Sequence, residues 1–160
     1  MKHLPLPALA ASFLIGTACF ATNALAQNVM ETISQNPNLS TAAKLIKDAG
    51  LADTLSAPGP MTVFAPDNAA FGAVPAAQLA ELSANKELLK SVLSYHVVPV
   101  SITTANAPNG MQKTATGQSI SLYKSGTFLT VESALVTQAD VKASNGFVQV
   151  IDAVLIPPKK

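Results

Sequence analysis

The hydrophobic pattern of this chain changes its period near residue 95, and this change limits the folds available to it. Before residue 95, apolar residues recur every three to four positions, as over 39–49, which predicts helices. After residue 95, apolar and polar residues alternate over 119–123, and Asn145-Gly146 is a strong signal for a hairpin turn. Helices first and strands later predict an α+β fold rather than an alternating α/β fold.

The expected elements follow from caps, turns and apolar spacing. Gly50 is expected to end the helix over 39–49, and Asp67 to cap a short helix after Pro66. Further helices are expected from Pro75 to Leu82 and over 87–94. The predicted strands cover 62–65, 95–98, 119–123, 128–132, 134–143 and 147–156.

The first 26 residues have the three parts of a secretory signal peptide. A short basic start precedes an apolar stretch over 4–18, which is too short to span a membrane, and the segment ends at Ala24-Leu25-Ala26. We therefore predict cleavage after Ala26 and a single domain over 27–160. A weaker alternative is a bacterial lipoprotein signal at 16–19, in which Cys19 carries the lipid anchor. The first interpretation places a bacterial protein in the periplasm or outside the cell.

The composition after residue 26 excludes several classes of protein. The ten basic residues of the chain are all lysines, so no arginine can clamp phosphates, and nucleic-acid binding is not expected. After cleavage no cysteine remains and His96 is the one histidine, which excludes a disulfide and a zinc site built from Cys and His. Nine lysines then balance nine acids, and we predict no metal and no cofactor.

Three stretches resemble the signature segments of the fasciclin domain. Residues 62–71 (TVFAPDNAAF) match the first segment, 93–99 (LSYHVVP) the central tyrosine–histidine segment, and 145–157 (NGFVQVIDAVLIP) the closing segment. Their order and separation also fit the family. Two positions depart from its pattern: Ala69 stands where glutamate is frequent and Gln149 where histidine is frequent.

The resemblance implies a fold and a function. The fold is a wedge-shaped β-sandwich flanked by several small helices. The function is non-catalytic binding or adhesion outside the cell, with an extracellular or cell-surface protein or polysaccharide as partner. In animal members the tyrosine–histidine region is associated with integrin-mediated adhesion. If this role is carried over to the matching positions of this chain, the candidate partner-binding residues are Tyr95, His96, Val97 and Val98.

A structural role for these motif residues competes with the functional one. As strand neighbours, Tyr95 and His96 are expected to point to opposite faces. His96 is then an interior histidine bonded to Asp67 or to a backbone carbonyl. A structural role is also expected for a further set of residues in the three segments. These residues are Phe64, Pro66, Asp67 and Phe71, which form the corner of the first segment, and Asn145, Gly146 and Asp152.

Two other functions compete with adhesion. Some family members carry carotenoids, and a carrier of a carotenoid or lipid would need an apolar groove, for which candidate lining residues are Met111, Ile120, Leu122, Phe128 and Val131. An enzyme acting on cell-wall material is disfavoured, because His96 would be the only histidine for a triad and no Gly-x-Ser-x-Gly elbow is present. We predict no catalytic residues.

Overall fold

The computed structural model describes residues 27–158. The predicted signal peptide, its cleavage site and Cys19 lie outside these residues. The helices are α1 (Val29–Gln35), α2 (Ser40–Asp48), α3 (Ala52–Ser56), α4 (Asn68–Ala73), α5 (Ala76–Ala84) and α6 (Lys86–Tyr95). The strands are β1 (Met61–Pro66), β2 (Val97–Val98), β3 (Gly110–Lys113), β4 (Ser119–Ser125), β5 (Phe128–Val131), β6 (Ala134–Ala143) and β7 (Gly146–Ile151).

The seven strands form one hydrogen-bonded sheet in the order β2-β1-β7-β6-β5-β4-β3. The pairing of β1 with β7 is parallel, and the other neighbours are antiparallel. β6 belongs to both halves of this sheet, because its first residues pair with β5 and the remainder with β7. Register shifts in β6 on either side of Gln138 are irregularities of the kind that bend a strand.

Three layers result from this bent sheet. Val63 and Ala65 of β1 pack against the helices, in a cluster that also contains Val29 and Ile33 of α1. Phe64 points to the other side of β1. There it shares a second cluster with residues of β4, β5 and β7, namely Ile120, Leu122, Leu129, Val131 and Ile151. The half built on β1 and β7 is therefore covered on both faces, whereas the half built on β3, β4 and β5 is packed on one face.

The prediction of an α+β fold is confirmed, and the hairpin signals are correct. β4 pairs with β5 across Gly126-Thr127, and β6 pairs with β7 across the turn that contains Asn145. Gly50 follows α2 with a φ of 72°, a left-handed conformation that suits glycine at a helix end. Asp67 caps α4 by accepting from the backbone N–H of Ala70 at 2.7 Å.

Two expectations about the strands were wrong, and one strand was not predicted. Tyr95 ends α6 and His96 caps it, so β2 consists of Val97–Val98 alone. The last strand ends at Ile151 instead of reaching 156, because the chain leaves the sheet after Asp152 and pairs the Leu155 N–H with His96. β3 was not predicted, since it combines a glycine with polar residues and a single apolar side chain.

Phe64 and Phe71 lie in different layers. Phe64 is fully buried between the two halves of the sheet, and Phe71 is buried on the helix side. The expectation that they form one corner together was wrong, because they pack in clusters on opposite sides of β1. The corner at Pro66 therefore connects a residue of the cluster between the sheet halves to a residue of the helix-side cluster.

Candidate functional site

The four candidate partner-binding residues are all buried. Tyr95, His96, Val97 and Val98 expose 3%, 2%, 7% and 0% of their surface. Tyr95 and Val98 lie in the cluster between the halves of the sheet, and Val97 lies in the helix-side cluster. These four side chains therefore offer almost no surface to a partner.

The His96 ring is held at both nitrogens by the backbone. Nδ1 lies 2.7 Å from the carbonyl oxygen of Val92, and Nε2 accepts the N–H of Leu155 at 3.0 Å. A neutral ring with its proton on Nδ1 satisfies both bonds. Burial lowers the pKa of His96 to about 4, against a smaller raising effect of the Val92 carbonyl. The ring links α6 to the C-terminal tail, and its partner is a backbone carbonyl rather than Asp67.

The hydroxyl of Tyr95 reaches the other half of the molecule. It donates to the backbone carbonyl of Ser119, at the start of β4, over 3.2 Å. Burial raises the pKa of Tyr95, and the negative charge of Glu132 adds to this effect. Tyr95 thus bonds to β4, whereas His96 bonds to α6 and to the C-terminal tail, and both residues lie at a helix end and not on a strand.

The closing segment is fixed by one asparagine and one glycine. Asn145 accepts from the Val29 N–H at 2.9 Å and donates to the carbonyls of Leu55 and Ala57, both at 2.8 Å. A Cβ on Gly146 would lie 1.9 Å from the carbonyl oxygen of Met61, the residue with which it pairs. Glycine is required here because two backbones approach closely.

Asp152 holds the point where the chain leaves the sheet. Its carboxylate accepts from the Leu135 N–H at 2.8 Å, and its own N–H donates to the Leu135 carbonyl at 3.1 Å. The tail that follows then reaches His96 through Leu155. These bonds give Asp152 a role in positioning the tail.

Gln149 is the centre of a polar network that sequence reasoning missed. Its side chain, fully buried, donates to the Ile102 carbonyl and to Asp140 and accepts from the Asp140 N–H, each at 3.0 Å. Asp140 also accepts from the N–H and the hydroxyl of Thr104. Although burial opposes it, the hydrogen bonds from Thr104 and Gln149 lower the pKa of Asp140. Every polar group of the Gln149 amide is hydrogen-bonded. Because these bonds reach Ile102, and those of Asp140 reach Thr104, the network holds the 99–109 segment against β6 and β7.

Within residues 27–158, the packing of the sheet leaves one surface apolar and open. Met111, Tyr123, Phe128 and Leu135, one residue from each of β3 to β6, expose 68%, 65%, 63% and 38% of their surface. We call these four residues the outer face. Six large apolar side chains are strongly exposed among the described residues, and four of them lie here.

Strand register places these four side chains on one side of the sheet. Tyr123 pairs with Thr130, which in turn pairs with Leu135. Phe128 lies two residues before Thr130, and Met111 pairs with Ser121, two residues before Tyr123. Residues two apart on a strand point to the same side. The hydroxyl side chains of Ser121, Ser125 and Thr130 share this side by the same alternation.

The five residues suggested to line a carrier groove do not lie together. Ile120, Leu122 and Val131 are buried in the cluster between the sheet halves. Met111 and Phe128 are on the outer face instead. The alternation in β4 indicates this division, because Ile120 and Leu122 lie two positions apart and therefore share one side of the strand, and Tyr123 falls on the other.

No group of three or more His, Cys, Asp or Glu side chains within residues 27–158 is arranged to hold a metal ion. In the same part of the chain, none of the helices has the length and apolar character needed to cross a membrane.

The fold and the signature segments define the family. The model of the fasciclin domain matches residues 37–157, and the chain belongs to the fasciclin domain family. The chain is 41% identical over 135 residues to Protein sll1483 of Synechocystis, which covers 83% of this chain and 75% of that protein. It is 37% identical over 169 residues to Immunogenic protein MPB70 of Mycobacterium bovis, which covers 95% of this chain and 86% of the relative.

Two further comparisons extend this result. Cell surface glycolipoprotein MPB83 of Mycobacterium bovis is 37% identical over 140 residues, which cover 84% of this chain and 63% of that protein. The structure of a FAS1 domain pair from the insect cell adhesion molecule fasciclin I matches with a TM-score of 0.65 and 18% identity. The match covers 82% of this chain and about half of the fasciclin I chain, 51%, and it shows a shared fold.

Proposed function

We propose that this protein is an exported binding module of the adhesion type, which contacts a cell-surface or extracellular macromolecule through the outer face. The observation that carries the proposal is the gathering of Met111, Tyr123, Phe128 and Leu135 on one uncovered side of the sheet. Contiguous exposed apolar patches mark interaction surfaces, and aromatic residues and methionine are enriched at such surfaces. The names of two similar proteins, a cell surface glycolipoprotein and a cell adhesion molecule, agree with this role.

The environment of His96 favours binding over catalysis. A histidine that activates a nucleophile needs a ring nitrogen within reach of that nucleophile. In His96 both ring nitrogens are bonded to backbone groups, and the side chain is 2% exposed. His96 therefore acts as a structural clamp in this proposal.

The shape of the outer face favours a macromolecule over a small apolar ligand. Carriers enclose most of the surface of their ligand. The outer face is instead an open side of a sheet, with Ser121, Ser125 and Thr130 between the apolar side chains. Hydroxyl groups between apolar side chains suit a protein or polysaccharide surface, which presents polar and apolar groups together.

The test compares two variants on a coated surface. The protein, purified from a host that exports it, is immobilised and exposed to fragments of the cell envelope of that host. We expect Tyr123→Ser/Phe128→Ser to reduce the retained material at least about tenfold, because aromatic residues dominate binding energy at interfaces. Val100→Ser is the matched control, since Val100 is 47% exposed but follows β2, at the far end of the strand order from β3.

Two results would contradict the proposal. One is equal retention by the double variant and by Val100→Ser. The other is a stoichiometric pigment or lipid in a solvent extract of the purified protein, which would favour the carrier function.

A further inference from the structure

A cleft opens where the outer face meets the C-terminal tail. It has a volume of about 570 Å³ and lies between the β3–β4 side of the sheet and residues 154–158. Met111 belongs to both the outer face and this cleft. The lining includes Tyr95, Ser119, Ser121, Glu132, Met111 and Ile156.

Glu132 gives this cleft its charge. It is the one charged residue among the described residues that line the cleft. It lies in the turn between β5 and β6 with a φ of 55°, a left-handed conformation that is unfavourable for glutamate. A bond from the Ser121 N–H to Oε1 of Glu132, 2.8 Å long, holds the side chain across to β4. Burial raises the pKa of the Tyr95 phenol, which lines the same cleft, and the negative charge of Glu132 adds to this effect.

Two exposed apolar side chains line the cleft together with this carboxylate. Met111 of β3 is 68% exposed, and Ile156 of the tail is 56% exposed. Long basic side chains bury their aliphatic stems along such surfaces and keep the charged head at a polar group. The cleft is therefore complementary to a side chain with an apolar stem and a positive end.

We infer that this cleft receives a lysine or arginine side chain from a partner protein. The inference rests on the proposed function and narrows its partner from any envelope macromolecule to a polypeptide. The basic head pairs with Glu132, and the stem lies between Met111 and Ile156. A neutral polysaccharide supplies no cation for Glu132, so the charge of the cleft favours a protein.

The first test uses short peptides with blocked ends. One carries a lysine between two leucines, and its control carries norleucine in place of lysine. Binding is followed by NMR titration of the isotope-labelled protein. We expect the lysine peptide to shift the signals of Met111, Glu132 and Ile156, and to bind about threefold more tightly than the norleucine peptide. No shift of these signals at millimolar peptide, or equal affinity of the two peptides, would overturn the inference.

The matched variants are Glu132→Gln and Glu87→Gln. Glutamine keeps an oxygen for the Ser121 N–H and removes only the charge. Glu87 is an exposed glutamate in the first turn of α6 and does not line the cleft. We expect Glu132→Gln to remove the preference for lysine and to abolish its dependence on salt, whereas Glu87→Gln leaves both unchanged. A preference retained in Glu132→Gln would contradict the inference.

The surface assay separates this inference from the proposed function. If Tyr123→Ser/Phe128→Ser loses the envelope material and Glu132→Gln retains all of it, the outer face binds and the cleft inference fails. If neither variant changes retention, the proposed function fails. Protease treatment of the retained material gives a further check: loss of the bound fraction supports a protein partner, and a resistant polysaccharide overturns it.

Discussion

The segment Tyr95–Val98 and the outer face contain similar side chains in opposite environments. Each offers tyrosine together with apolar residues. The first is buried where α6 ends and β2 begins, and the second is open to solvent. The difference arises because helices cover one half of the bent sheet and leave the far side of the other half uncovered.

This difference shows how a signature motif and a contact surface are separated in one fold. The tyrosine–histidine segment joins the helix layer, both halves of the sheet and the C-terminal tail through the pairing of β2 with β1 and through side-chain bonds to backbone groups. Changes there are expected to act on stability. Changes on the outer face are expected to act on binding with little effect on stability.

The largest expected effect is that of His96→Ala. It removes a buried ring and leaves the Leu155 N–H and the Val92 carbonyl without their partner. We expect a loss of about 3 to 4 kcal/mol in the free energy of unfolding, measured by urea titration. A stable His96→Ala protein that no longer binds envelope material would show that His96 has a functional role instead.

Lowering the pH is expected to reduce the free energy of unfolding by an amount similar to that of His96→Ala. The pKa of His96 is lowered to about 4 in the folded protein, while the unfolded chain has the ordinary value near 6.5. Between pH 6.5 and pH 4 the unfolded chain binds a proton at His96 that the folded protein does not bind. The free energy of unfolding therefore has its full value above about pH 6.5 and decreases as the pH falls toward 4. The loss amounts to about 3 kcal/mol.

The His96→Ala variant is the control for this pH dependence. Its free energy of unfolding is expected to lack this component between pH 6.5 and 4. The lowered pKa of Asp140 contributes only below that range, because an aspartate in the unfolded chain titrates near pH 4. An unchanged pH profile in His96→Ala would show that another group is responsible.

A smaller effect is expected from Tyr95→Phe. The variant keeps the buried ring and loses the hydroxyl bond to the Ser119 carbonyl. We expect a loss of about 1 kcal/mol in the free energy of unfolding, measured by urea titration. Since Tyr95 lines the cleft only from its floor, retention of envelope material is expected to stay within about twofold of the unchanged protein. A tenfold loss of retention would remove the distinction between the two regions.

The smallest effect on stability is expected on the outer face. Tyr123→Ser and Phe128→Ser each remove a side chain that is already mostly exposed. We expect each to change the free energy of unfolding by less than about 0.5 kcal/mol. A cooperative loss of several kcal/mol would show that these residues are part of the core and not of a contact surface.

Local pattern was enough to predict the elements of this fold that depend on neighbouring residues. The cap at Asp67, the helix end at Gly50 and the hairpin signalled by Asn145-Gly146 depend on a few neighbouring positions, and the structure contains all three, with Ser144 and Asn145 as the turn residues of the hairpin. The end of α6 was missed because a short apolar run such as 95–98 suits a helix end and a strand equally well.

The features that the sequence did not predict depend on contacts between residues far apart in the chain. Alternation in β4 separates Ile120 and Leu122 from Tyr123, but it does not say which side is covered. Coverage depends on β6, which joins the two halves of the sheet. The same holds for His96, whose ring binds Leu155 across 59 positions of the chain.

Radical footprinting of the bound protein tests the central claim directly. Hydroxyl radicals oxidise exposed methionine and aromatic side chains, so Met111, Tyr123 and Phe128 report contact at their own positions. The account predicts that these three residues lose reactivity when envelope material binds, while Val100 keeps its reactivity and Tyr95 stays unreactive. Unchanged oxidation of the three residues, or a change confined to 95–98, would contradict it.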